Sequence, residues 1–140
     1  MINCTRRIEF DAGHRVTRHE SKCRHVHGHR YAVEITAEAN ELDHAGRVID
    51  FGVLKGKVGG WIDAQLDHGY IMHPHDPVGS YLVSEGFKVF EMPEELGEPT
   101  AENLATLIGE MAELLVGGDG LRITRVVLWE TPNCKAEWKP

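Results

Sequence analysis

His27-Gly28-His29 stands at the head of a segment, residues 30–39, in which Tyr31, Val33, Ile35 and Ala37 alternate with Ala32, Glu34, Thr36 and Glu38. A period of two is the pattern of a half-buried β-strand, one face on a core and the other turned outward. Residues two apart in a strand share a face, with Cα atoms about 6.5–7 Å apart. Two imidazoles at that spacing can converge on one ion at Zn–N distances of about 2.0–2.1 Å. His25 has the same parity but would lie about 13 Å from His29, too far to share the ion. A third ligand must come from elsewhere. His14, which follows the run Ile8-Glu9-Phe10-Asp11-Ala12-Gly13, is the best placed. Three neutral imidazoles leave one coordination position open, the arrangement of a catalytic zinc rather than a closed structural one.

Residues 2–13 read as a second strand, with Ile8, Phe10 and Ala12 on one face. The polar loop to residues 30–39 carries His19, Lys22 and Cys23, so the two strands form an antiparallel pair with His14, His27 and His29 on one rim. From Leu54 the period lengthens: Leu54, Val58, Trp61, Ile62 and Leu66 fall at helical spacing, although Gly56, Gly59 and Gly60 each cost about 1 kcal/mol against alanine. A firmer helix runs through Leu104, Leu107, Ile108, Met111 and Leu115, opened by Pro99-Thr100 with Thr100 as N-cap and closed by Gly117-Gly118. Strands then return at 123–131 and 134–138. The order is β-β-α-α-β-β, an α+β chain with an antiparallel sheet. Residues 70–98 are expected to be irregular, with one short strand near Lys88–Met92 and with His73 and His75 at the surface, the stretch either rimming the pocket or decorating the barrel.

At 140 residues the chain is expected to form one domain, 1–140, with a core of its own. A formal net charge of −7 argues against nucleic acid, whose backbone needs a basic surface, but leaves room for an anionic metabolite held by local cations. Cys4, Cys23 and Cys134 are three widely spaced cysteines with no C-x-x-C, which fits free thiols in a reducing, cytoplasmic setting. The first residues have no apolar stretch of signal-peptide length, and no apolar run approaches the roughly 20 residues of a membrane span.

Six short motifs in order give the chain a resemblance. Phe10-Asp11-Ala12-Gly13-His14, Cys23 with His27-Gly28-His29, Val48-Ile49-Asp50-Phe51, Leu66-Asp67-His68, Pro99-Thr100-Ala101-Glu102-Asn103 and Trp129-Glu130-Thr131 resemble those of the 6-pyruvoyl-tetrahydropterin synthase family. The three residues between Cys23 and His27 resemble its bacterial branch, the 6-carboxy-5,6,7,8-tetrahydropterin synthases of queuosine biosynthesis. The resemblance implies a tunnelling fold, in which four-stranded sheets of several subunits close into a barrel, commonly as a homohexamer of two stacked trimers.

It also implies a substrate, 7,8-dihydroneopterin triphosphate, and roles for named residues. Zinc on His14, His27 and His29 would act as a Lewis acid. Cys23 would be the general base, favoured as thiolate by zinc and by Lys22 and Arg24. His68, oriented by Asp67, would move protons on the opposite side of the substrate. Glu130 would grip the pterin with a two-pronged carboxylate contact, with Thr100 as a lesser contact. Other readings stand beside these. Cys23 is alternatively a fourth ligand closing a structural zinc site, Asp67-His68 a plain helix end, and Glu130 a solvent-facing residue. At the level of function, the alternatives are triphosphate elimination to 6-pyruvoyl-tetrahydropterin or a zinc- and pterin-binding protein without activity. Arg15, Arg18, Lys22 and Arg24 are the cations nearest the motifs for a triphosphate.

Overall fold

In a computed structural model covering Met1–Pro140, β1 (Asn3–His14) and β2 (His27–Ala39) form the expected antiparallel pair. A 3-10 turn at Lys22–Arg24 lies in the loop between them. The register sets Phe10 against Tyr31 and His14 against His27. Alternation then sends Phe10, Ala12, Tyr31, Val33, Ile35 and Ala37 to one face, where they are buried.

A helix in three parts covers that face: α1 (Phe51–Leu54), a π-helical segment at Lys55–Gly59, and α2 (Gly60–Gln65). It starts before Leu54 because the Asp50 carboxylate accepts the Gly52 amide at 2.7 Å, an N-cap. Gly56 and Gly59 are absorbed in the widened π segment, and Gly60 is the first residue of α2. Gly59 is buried beside Ile8 of β1, where a Cβ would make an ordinary contact at 3.5 Å. Leu54, Val58, Ile62 and Leu66 are fully buried.

Residues 69–98, expected to be largely irregular, are ordered into β3 (Gly69–Met72), α3 (Pro77–Ser84) and β4 (Val89–Glu91). Then come α4 (Ala101–Val116), β5 (Leu121–Thr131) and β6 (Cys134–Trp138). The four-stranded antiparallel expectation is thereby corrected. The sheet has six strands in the order β4-β3-β1-β2-β5-β6, and β3 runs parallel to both β1 and β4. The physical reason is burial: all four β3 residues are buried, so the strand shows no alternation to read. The antiparallel set β1-β2-β5-β6 survives inside the larger sheet.

The Thr100 hydroxyl caps α4, accepting the Asn103 amide at 3.3 Å, and Leu104, Leu107 and Ile108 join one core cluster with both helices and the sheet. No helix is long and apolar enough to cross a membrane.

Candidate metal centre and active site

The hairpin brings three histidines together at one end of the sheet. The His14 and His27 rings lie 4.7 Å apart, His14 and His29 5.2 Å, and His27 and His29 4.9 Å, centroid to centroid. One nitrogen of each lies within 4.8 Å of the others. A Cβ on Gly28 would stand 3.3 Å from the Ala12 carbonyl, so glycine between the two β2 histidines lets β1 and β2 approach closely there.

Backbone carbonyls fix the tautomers. His14 Nδ1 lies 2.8 Å from the Pro99 carbonyl and His27 Nδ1 lies 2.7 Å from the His25 carbonyl. A carbonyl can only accept, so each Nδ1 carries the proton and each Nε2 offers a lone pair. The Tyr31 hydroxyl closes on His14 Nδ1 at 3.3 Å. His14 Nε2 and His29 Nε2 are buried without any hydrogen-bond partner. Burial pushes the His14 pKa down to about 4 against the opposing pull of the Pro99 carbonyl. Burial also lowers His29, opposed by the Glu130 charge. Neutral imidazoles with inward, partnerless lone pairs are what a divalent cation requires, so the donor set fits a metal.

Cys23 does not join the three imidazoles. It lines a separate cavity of ≈ 340 Å³ with Thr100, Glu102 and Glu130. Glu130 is half-buried rather than solvent-facing, with Oε1 3.7 Å from His29 Nε2. His68 opens on a different side, in a ≈ 540 Å³ cavity with His27, His29 and Asp11. Its Nδ1 donates to Asp67 Oδ2 at 2.8 Å, while Asp67 Oδ1 accepts the Asp11 amide at 2.9 Å. Partial burial works against the Asp67 carboxylate. The Asp11 amide, His68 and Lys88 outweigh it and hold the pKa below the usual range. His68 adopts φ 58°, held by its amide bond to the Asp11 carbonyl at 2.7 Å. A non-glycine residue held in that left-handed region is a mark of a constrained site.

A sequence profile of the 6-pyruvoyl tetrahydropterin synthase family matches residues 3–140. The chain belongs to this family. It is 45% identical over 140 residues to the 6-carboxy-5,6,7,8-tetrahydropterin synthase of Rickettsia bellii, covering 98% of this chain and 99% of that protein. The protein of the same name from Aquifex aeolicus is 32% identical over 154 residues, with 94% of each chain covered. Among solved structures, an uncharacterized protein from Wolinella succinogenes superposes with a TM-score of 0.84 at 23% identity, covering 99% of this chain and 97% of that one. The 6-pyruvoyl tetrahydropterin synthase of Caenorhabditis elegans gives 0.72 at 21% identity, with 99% and 95% covered. These two likenesses concern the fold.

Several residues of this family member escaped the sequence reading. Asp76 is completely buried and pairs with Arg15, which removes Arg15 from the cations free to meet a triphosphate. Glu98 binds Thr17 and Arg18, and Pro99 supplies the carbonyl beneath His14. Only Asp76-Pro77 carried a local signal, an N-cap followed by proline. His73 and His75 do not make a second metal pair: His73 Nδ1 accepts the His75 amide at 3.0 Å, and His75 Nε2 meets Glu94 at 2.8 Å.

Proposed function

We propose that the chain converts 7,8-dihydroneopterin triphosphate and water to 6-carboxy-5,6,7,8-tetrahydropterin, acetaldehyde and triphosphate, as a carbon–carbon lyase of queuosine biosynthesis. The observation that carries this is the convergence of His14, His27 and His29, with the buried Nε2 atoms of His14 and His29 partnerless, beside the cavity of Cys23 and Glu130. The names of the relatives at 45% identity support this product over 6-pyruvoyl-tetrahydropterin.

His14, His27 and His29 would hold zinc, whose Lewis acidity raises the acidity of the C–H bonds in the substrate's hydroxylated side chain. Glu130 accepts two hydrogen bonds from the amidine-like edge of the pterin, which fixes the ring in the Cys23 cavity, and Thr100 borders the same space. Cys23 as thiolate takes a proton from the side chain. His68 shuttles the second proton, with Asp67 holding its ring so that Nε2 faces outward. Three free cysteines suit a reducing, cytoplasmic setting.

Assembly completes this site. β3 covers only Ala12–His14 of β1, and Asp67 and His68 take the Asp11 backbone groups, so residues 3–10 present an open edge, and the far edge of β6 is open too. Open edges invite pairing between copies, and joining β6 of one copy to β1 of the next would build the barrel of a trimer, stacked in twos as a homohexamer. Cys23 and His68 open to different cavities within one chain, and such closure lets one subunit's His68 serve another's Cys23.

The decisive experiment incubates zinc-loaded protein with the triphosphate and measures acetaldehyde. Release of triphosphate without acetaldehyde would establish the elimination reaction instead. Cys23→Ala should abolish turnover and retain one zinc per chain, whereas loss of zinc in that variant would make Cys23 a ligand.

A further inference from the structure

The 69–98 excursion reaches back through two carboxylates to the β1–β2 loop that carries Cys23. Asp76 Oδ1 accepts Arg15 Nε at 3.0 Å and pairs with Arg15 Nη2 at 2.9 Å. Asp76 Oδ2 accepts the Tyr70 hydroxyl at 2.7 Å, and the Val78 amide also donates to Oδ1 at 3.0 Å. The remaining arm of Arg15, Nη1, donates to the Arg24 carbonyl at 3.2 Å. Beside it, the Val16 amide donates to the Cys23 carbonyl at 2.9 Å. From the other end of the excursion, Glu98 accepts the Thr17 amide at 2.8 Å and the Arg18 amide at 3.2 Å.

The turn needs this support. Lys22–Arg24 buries no residue and has no side-chain N-cap, so core packing does not set where it sits. A guanidinium fork held against a fully buried carboxylate is stiff, because its anchor is itself satisfied on both oxygens. We propose that Asp76 and Arg15 are positioning residues for Cys23: the buried carboxylate locks the guanidinium, and the guanidinium fixes the Arg24 carbonyl and the turn that carries the thiol. This rests on the reading of Cys23 as base. It gives the 69–98 excursion a function as a brace, and explains why Asp76 is buried there at all.

The test compares zinc-loaded wild type with Asp76→Asn and Arg15→Lys. Asparagine still caps α3, and lysine still neutralises Asp76. A single ammonium cannot pair the buried carboxylate and also reach the Arg24 carbonyl in the geometry of a fork. Steady-state kinetics give kcat and KM, metal analysis gives zinc content, and peptide mass spectrometry gives the iodoacetamide rate at Cys23, with Cys4 and Cys134 as internal references. The expected result is a fall in kcat of about 10- to 100-fold, KM within about twofold, and Cys23 alkylation shifted by about fivefold or more. Zinc content and the other two thiols should not change. Folded variants that alkylate Cys23 at the wild-type rate would overturn the brace. Shifted alkylation with full turnover would uphold the brace and instead refute Cys23 as base. Should Asp76→Asn fail to fold, Arg15→Lys, in which the buried carboxylate stays paired, decides.

Discussion

A buried imidazole nitrogen with no partner costs about 1–3 kcal/mol, and this chain gathers two of them at one point. Without a cation that cost has a pH signature. His14 has a folded pKa of about 4, below its ordinary value of 6.5. The unfolded chain therefore takes the proton first, so stability is whole above about pH 6.5 and is lost as the pH falls toward 4. At 1.36 kcal/mol per unit the loss from His14 reaches about 3 kcal/mol. Urea unfolding of chelator-treated protein should show this slope, and His14→Leu should flatten it; an unchanged slope in the variant would assign it elsewhere. The histidine triad was legible in the sequence because strand spacing makes i, i+2 neighbours share a face. The Pro99 carbonyl and Asp76 were not, since they lie 85 and 61 residues from their partners and local patterns carry no trace of such contacts.

At the scale of elements, α4 and β6 lock through a missing side chain. Gly109 lies in the middle of α4, where alanine would ordinarily gain about 1 kcal/mol in helix propensity. A Cβ there would stand 2.3 Å from the Trp138 ring, and overpacking of that kind costs about 1–3 kcal/mol. Overlap wins, so Gly109→Ala should lower the urea midpoint; an equal or higher midpoint would mean that the ring moves aside freely. Strong periodicity made α4 and the antiparallel strands readable. β4 falls within the short strand expected near Lys88–Met92, whereas β3 escaped because a fully buried strand of four residues, lying parallel, leaves no alternation to detect. α3 escaped because it has only eight residues and one buried glycine, too little for a helical stripe.

For the whole molecule, the antiparallel strands β1-β2-β5-β6 followed from their patterns, whereas the parallel strands added beyond β1 depend on a crossover through α3 that no local rule announces. Closure into a barrel should appear in sedimentation as a species of six chains, with turnover lost on dilution as that species dissociates; a fully active monomer would contradict it. The alignment of β1 with β2 has a consequence for how such chains mature. His14 faces His27 across the ladder, so a hairpin slipped by one residue would swing His14 to the far side of the sheet. A cation held by all three imidazoles would therefore proofread strand alignment, since misregistered hairpins could not chelate it and would stay free to unzip and try again.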